Sequence, residues 1–292
     1  MNASAHHDGL TLVSLASGSR GNCTWVGGSQ DGFLIDCGVS TRQVFARLDS
    51  LGMAEIPIRA VLLTHDHDDH VAAAAILDRQ LERRTGRIVP FFATQGTWDG
   101  VPANRSPRDR RVAVAGEPIH SRGWTIEPHS VPHDTRDPVA WAIDDGRSRA
   151  AVITDLGHPT RLTEALLASV DLAVLEFNHD LEMLLDGSYP WPLKQRIRGR
   201  HGHLSNADGA ALLRRGASGR LQQVLLGHLS EENNRPELAL EAALQALRDA
   251  GKPHVSVQLA CQDKPTGPLR ARMTAQPVPP QLGLFSLAPA ST

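Results

Sequence analysis

Cysteine, long apolar runs and an excess of one charge are all scarce in this sequence, and each scarcity removes a class of protein. Cys23, Cys37 and Cys261 are the only cysteines in 292 residues, and they form no CxxC pair. That argues against a disulfide framework or a thiolate metal site. No stretch approaches the ~20 apolar residues that a membrane-spanning helix needs. Residues 1–9 are polar and lack the apolar core of a secretory leader, so they are expected to form a flexible N-terminus of a cytoplasmic protein that does not engage a membrane. Thirty Lys and Arg against 32 Asp and Glu leave a formal net charge of −2. Any surface for a polyanion must therefore be local. No repeat of fixed period is visible. What is left is an ordinary globular composition, 41% apolar and 21% charged in 31.5 kDa, enough for one large domain or two small ones.

Against that background one stretch is dense in chemistry. Val61-Leu62-Leu63 reads as the end of a buried strand, and an alanine-rich helical pattern starts at Val71. Between them, residues 65–70 hold three histidines and three aspartates. Imidazole nitrogens and carboxylate oxygens are ligands for Zn²⁺- and Mn²⁺-like ions. In an extended segment His65 and His67 project to one side, because side chains alternate with period two. Asp69 and His70 follow as the chain turns, so they address a neighbouring point. The pattern H-x-H-x-D-H thus offers two ligands to each of two adjacent ions, unless it is a polar loop with incidental histidines.

Further candidates stand at the ends of other expected strands. Residues 10–15 read as a first strand, followed by a turn over 16–23 that is either a plain hairpin loop or an anion-binding nest of free N–H groups. Residues 33–35 end at Asp36, a turn residue or a carboxylate that orients a metal-bound histidine. Helices are expected over 40–51 and 71–84, and short strand-like pieces with polar loops over 86–111. Arg105, Arg108, Arg110 and Arg111 in that region suit a solvated loop or a phosphate contact. A strand over 124–134 delivers His133, a third imidazole for the first ion, while His129 reads as a surface or strand histidine. The strand over 150–154 ends at Asp155, whose two oxygens can bridge two cations. The strand over 172–177 leads to His179. Lys194, Arg196, Arg198 and Arg200 alternate beside Tyr189 and Trp191, which suits either an exposed basic helix or a groove that tracks a polynucleotide backbone and stacks its bases. Ser205 or Asn206 caps a helix over 207–215, which aims His203 and the helix's positive end at one spot. A strand over 223–226 precedes His228. A helix over 236–250 and a strand over 254–259 complete the pattern.

In this order the motifs resemble those of the metallo-β-lactamase superfamily: Asp36 at the first, His65, His67, Asp69 and His70 at the second, His133 at the third, Asp155 at the fourth and His228 at the fifth. The resemblance implies an α/β fold, a four-layer αββα sandwich over residues 10–262. Lactamases of the superfamily often carry a cysteine where this chain has Asp155. The acidic bridge is similar to that of the ribonuclease Z, glyoxalase II and phosphodiesterase branches. Residues 14–23, 176–180, 193–197, 203–206 and 227–234 resemble the YycJ/WalJ-like branch, for which a DNA exonuclease role is described. The His203 segment is similar to the loop that contacts the scissile phosphate in ribonuclease Z.

The resemblance implies two divalent ions, Zn or Mn with Fe also admissible. His65, His67 and His133 would hold one, Asp69, His70 and His228 the other, with Asp155 between them. The implied reaction is phosphodiester hydrolysis on nucleic acid, DNA favoured, with Asp69 and His203 catalytic and His179 a lesser candidate. Ser19, Asn22, Lys194, Arg196, Arg198 and Ser205 are the expected substrate contacts. The alternative activity is hydrolysis of a small cyclic phosphodiester or thioester, and a non-catalytic interaction protein is the rival outside enzymes. Residues 263–292 carry six prolines and few apolar residues and read as a flexible tail. Within the tail, Gln281-Leu282-Gly283-Leu284-Phe285 is similar to the pentapeptide by which bacterial replication and repair proteins dock on the DNA sliding clamp, with Gln281, Leu282, Leu284 and Phe285 as contacts. A chance apolar tail is its rival.

Overall fold

A computed structural model describes residues 9–272. Its first half contains β1 (Thr11–Ala16), β2 (Cys23–Gly27), β3 (Gly32–Ile35), α1 (Thr41–Ser50), β4 (Ile58–Leu62), α2 (Asp68–Val71), α3 (Ala74–Thr85), β5 (Phe91–Ala93), α4 (Gln95–Gly100) and β6 (Arg110–Val112). The second half contains β7 (Ile119–Ser121), β8 (Trp124–Ser130), β9 (Val139–Asp144), β10 (Arg149–Ile153), α5 (Arg161–Ala168), β11 (Leu172–Glu176), α6 (Leu181–Asp186), α7 (Trp191–Ile197), α8 (Asn206–Gly216), β12 (Gln223–Gly227), α9 (Pro236–Asp249), β13 (Ser256–Leu259) and β14 (Leu269–Arg270). Two seven-stranded sheets form, in the orders β14-β1-β2-β3-β4-β5-β6 and β13-β12-β11-β10-β9-β8-β7. Among the described residues no helix is long and apolar enough to cross a membrane.

Period-two alternation explains the layering. On β3 and β4, Phe33, Ile35, Ala60 and Leu62 turn inward to meet Ile126, Trp141, Val152, Val174 and Leu225 of the other sheet. The intervening Leu34, Val61 and Leu63 turn outward and pack under Val44 and Leu48 of α1 and Leu77 and Leu81 of α3. The second sheet does the same: Ala173, Leu175, Val224 and Leu226 face Leu166, Leu167, Leu212, Leu213 and Ala243 of α5, α8 and α9. Both faces of the central strands are covered, so those strands read as continuous apolar runs, while the edge strand β6 is exposed. The order is helices, sheet, sheet, helices, the αββα sandwich that the resemblance implied.

Three differences from the sequence reading have physical causes. The helix expected over 71–84 is broken near its start, because the Ala73 N–H donates to the Cys37 carbonyl at 3.0 Å instead of continuing the helical ladder. The short α6 was not expected; the Asp180 side chain starts it by accepting from the Met183 N–H. The expected tail does not begin at 263. Leu269 pairs with Leu12, Leu269 is fully buried and Ala271 nearly so, so the sheet continues to Arg270. Residues 1–8 of the expected flexible N-terminus and the Gln281–Phe285 motif lie outside the described residues.

Strands β3 to β5 run parallel, as do β10 to β13. Parallel strands put their carboxyl ends on one edge, where the loops that follow them can converge.

Candidate metal centre

Three of the loops at that edge begin with the same backbone device. Asp36, Asp155 and His228, just beyond β3, β10 and β12, have φ of 62°, 59° and 56°. Left-handed backbone is uncommon outside glycine and is retained where the surroundings fix it. Here they do: Asp36 N–H donates to Leu62 O, and His228 N–H donates to the Ser17 hydroxyl at 2.8 Å. Glycines allow the loops to touch. A Cβ on Gly38 would collide with the Asp69 carbonyl, and one on Gly157 with the Arg200 carbonyl.

The histidines and aspartates fall into overlapping groups whose ligand atoms lie within 4.8 Å of one another. His65, His67 and His133 form one group and Asp69, His70 and His228 another. Asp155 joins His65 and His70 in a third, and Glu176, His203 and His228 in a fourth. His67 Nδ1 is 3.2 Å from His65 Nε2 and 3.3 Å from His133 Nε2. Asp69 Oδ2 is 3.4 Å from the Nε2 atoms of both His70 and His228. Asp155 Oδ2 is 3.3 Å from His70 Nε2, and its Oδ1 is 3.5 Å from His228 Nε2 and 3.9 Å from His133 Nε2. A tetrahedron with metal–nitrogen bonds of ~2.0–2.1 Å has edges of about 3.3 Å. The donors are therefore spaced as ligands around a small cation. The buried Asp155 Oδ2 also has no hydrogen-bond donor among the described residues. The donor set fits divalent metal ions.

Outer partners set which ring nitrogen faces inward. His70 Nδ1 donates to Asp36 Oδ2 at 2.8 Å, and His133 Nδ1 donates to the Gly202 carbonyl at 3.0 Å. Both leave Nε2 for a metal, the usual arrangement around metal-bound histidine. Asp36 is itself held by the Thr64 N–H and hydroxyl.

The electrostatics are those of a cation site. Burial lowers the pKa of His65 and His133 and keeps their lone pairs available. Burial, the largest single influence, works against a charged His70 or His228, but Asp155, Asp69 and the other nearby carboxylates together outweigh it. His70 is raised well above the ordinary value and His228 is raised to about 9. Asp69 and Asp155 are pushed up by burial and pulled down further by the surrounding histidines, ending below the carboxylate range. Metal binding at such a site displaces the histidine protons and keeps the charge balance.

A cavity of ≈390 Å³ opens over these groups, lined in part by Ser19, Asp69, Asp155, Tyr189, Arg196 and His203. His203 is fixed by a residue the sequence reading passed over. Glu176 is fully buried at the end of β11; its Oε1 lies 2.7 Å from His203 Nδ1 and its Oε2 accepts from the Leu156 N–H. A carboxylate ending a wholly apolar strand was the available signal. Asn178 was also missed, and its amide lies 3.2 Å from His228 Nδ1.

Several expected substrate contacts are occupied elsewhere. Lys194 is buried, and its ammonium donates to the Leu185 and Gly187 carbonyls at 2.6 Å each, so it anchors α7 rather than meeting phosphate. Arg196 reaches the cavity but is paired with Asp134. Ser205 caps α8. Asn22 is buried and braces Asp69, His70 and Gly18. The proposed anion nest is not open, since the amides of Gly18, Arg20, Gly21 and Asn22 are all bonded within the protein. Ser19 remains exposed at the cavity, and Arg198 remains exposed on α7's C-terminal end. His179 is buried away from the cavity lining; its backbone bridges to Ser205, and burial lowers its pKa to about 4. Arg105, Arg108 and Arg111 are tied to Asp68, Asp78 and Asp109.

Residues 32–229 match the family described as the beta-lactamase superfamily domain. The chain is 30% identical to the exodeoxyribonuclease YycJ of Bacillus anthracis, over 83% of this chain and 91% of that protein. It is 32% identical to the exodeoxyribonuclease WalJ of Streptococcus pneumoniae, over 83% and 90%. Among solved structures, the metallo-beta-lactamase fold protein YhfI from Bacillus subtilis superposes with a TM-score of 0.66 at 15% identity, covering 89% of this chain and 99% of that one. Sheet order, converging ligands and these likenesses lead to one assignment: the chain belongs to the metallo-β-lactamase superfamily, as a hydrolase similar to the YycJ and WalJ proteins.

Proposed function

We propose that this chain is a dinuclear-metal phosphodiesterase acting on DNA, an exonuclease that works in cytoplasmic replication and repair. One observation carries the reading: His203, fixed by the buried Glu176, faces the same cavity as two ligand groups that meet at Asp155. The names of the YycJ and WalJ relatives support a nuclease. His65, His67 and His133 would hold one ion, Asp69, His70 and His228 the other, with Asp155 shared. Bound ions would supply Lewis-acid stabilisation of the phosphoryl oxygens and activation of water.

The chain's own residues account for the proton movements. Asp69 presents its carboxylate to the cavity, where it orients the attacking water and takes its proton. Glu176 receives the His203 Nδ1–H and holds the ring in place, leaving Nε2 to deliver a proton to the departing oxygen. The stacked His228 ring, with its centroid 5.2 Å away and planes 16° apart, limits rotation of His203. His67 is a half-exposed ligand whose side chain caps no helix. His67→Ala should therefore leave the fold intact and abolish hydrolysis of linear DNA; full activity in that variant would remove the metal site from the mechanism.

The modest cavity and the neutralised Arg196 favour a second reading, hydrolysis of a small phosphodiester or thioester. Turnover of a generic small phosphodiester with no action on DNA selects it. The clamp-docking role of Gln281, Leu282, Leu284 and Phe285 rests on sequence alone. Deleting residues 281–285 should eliminate sliding-clamp binding and spare catalysis.

A further inference from the structure

The chain has five tryptophans. Four are buried, at 0–9% exposure, and Trp191 is 54% exposed. Trp191 opens α7 between Pro190, the cap residue, and Pro192. Two fixed proline φ angles make this a stiff mount. Lys194 anchors the helix from below through the Leu185 and Gly187 carbonyls. The Arg198 guanidinium sits 5.7 Å from the indole centroid. Tyr189, two residues before Trp191, lines the metal cavity together with Leu193 and Ile197 of α7. One aromatic ring therefore lines the cavity, and the next stands exposed at the start of the helix that supplies Leu193 and Ile197 to its wall.

Charge distinguishes this surface from an ordinary exposed indole. Arg20, Arg108, Arg111 and Arg196 each have a carboxylate partner. Arg198 and Arg200 have none among the described residues. Arg200 reaches only the His158 ring, at 3.3 Å. An aromatic face beside one unneutralised cation, with a second on the loop that follows α7, suits a ligand with both a negative backbone and flat π-faces, a combination characteristic of single-stranded nucleic acid. Bases inside a duplex keep their faces stacked on each other and cannot offer them to a side chain.

We propose that Tyr189 and Trp191 form a stacking platform for unpaired bases, with Arg198 and Arg200 along its phosphates, so that the strand entering the metal centre is single-stranded. The inference rests on the nuclease reading above and adds the substrate class to it. A duplex would then be degraded from a frayed end or an overhang.

The test uses the full-length, metal-loaded protein and two end-labelled single-stranded oligonucleotides. In the second, abasic spacers replace the two terminal bases at each end. For the wild type, removing the bases should raise KM about tenfold, the scale of base–aromatic stacking. Trp191→Ala should raise KM for the intact oligonucleotide by a similar factor and lose the distinction between the two substrates; Trp191→Phe should restore most of it. Cleavage of both oligonucleotides with equal KM by the wild type overturns the platform alone, as does base preference that survives in Trp191→Ala. If the wild type hydrolyses bis(4-nitrophenyl) phosphate and neither oligonucleotide, the nuclease reading falls and takes this inference with it.

Discussion

Asp36 and Glu176 are buried carboxylates outside the cavity lining, and each fixes a histidine that faces inward. Their removal should have separable effects. In Asp36→Asn an amide N–H can oppose the His70 Nδ1–H, which favours the wrong tautomer of a metal ligand. Metal retention should fall ~10–100-fold, read by competition with a chelator. In Glu176→Gln the ligands remain while His203 loses its anionic partner. Metal content should then stay near wild type while kcat drops about 10²-fold. Equal loss of metal in both variants would show that Glu176 acts on the ligand cage instead.

Elements bring these residues together, and their own interactions are testable. Glu127 on β8 is bonded to Arg149 on β10, with its Oε2 2.6 Å from the guanidinium. Burial raises the Glu127 pKa, and Arg149 with His129 more than reverses this, leaving it below the usual value. A carboxyl depressed on folding adds stability above its unfolded pKa of ~4.3, and the gain is lost as pH falls through the folded value. Wild type should therefore melt higher than Glu127→Gln at pH ~6, with the gap closing as pH falls below ~4; a gap independent of pH would exclude this linkage. On α7, Lys194→Met leaves two partly buried carbonyls without that donor and should cost about 1–3 kcal/mol in urea unfolding. It should not alter the salt dependence of DNA cleavage. Arg200→Ala should do the reverse, leaving stability near wild type and lowering the slope of log KM against log salt by about 0.7, the contribution of one single-strand phosphate contact.

At the scale of the molecule, the candidate ligands come from both sheets. His65, His67, Asp69 and His70 follow β4 of the first sheet, while His133, Asp155 and His228 follow β8, β10 and β12 of the second. Ions bound there join the two halves of the sandwich and stabilise only the folded chain. At free metal of about 1,000 times Kd the gain is ~4 kcal/mol. Chelation should therefore lower Tm by on the order of 10 °C in a chain of this size, and restoring the metal should reverse the change. An unchanged Tm with complete metal removal would mean that the ligands are not gathered by an ion in the folded protein.

From the sequence, the strand positions and the candidate donors were legible, and the layering followed from the family resemblance. Alternating strands such as Phe33-Leu34-Ile35 and the dense His65–His70 segment are local patterns, set by side-chain periodicity and ligand chemistry. Tertiary structure decided which polar residues are free to act. Lys194 and Arg198 look equivalent in sequence, yet one is buried against two carbonyls and the other is exposed beside Trp191. Glu176 and His203 are 27 residues apart and meet only because β11 and the loop before α8 end at the same edge. The left-handed backbone of Asp36, Asp155 and His228 was likewise invisible, since no local preference of Asp or His demands it. The physical reason is range. Periodicity and donor type are written within a few residues, whereas burial and pairing depend on what the rest of the chain places alongside.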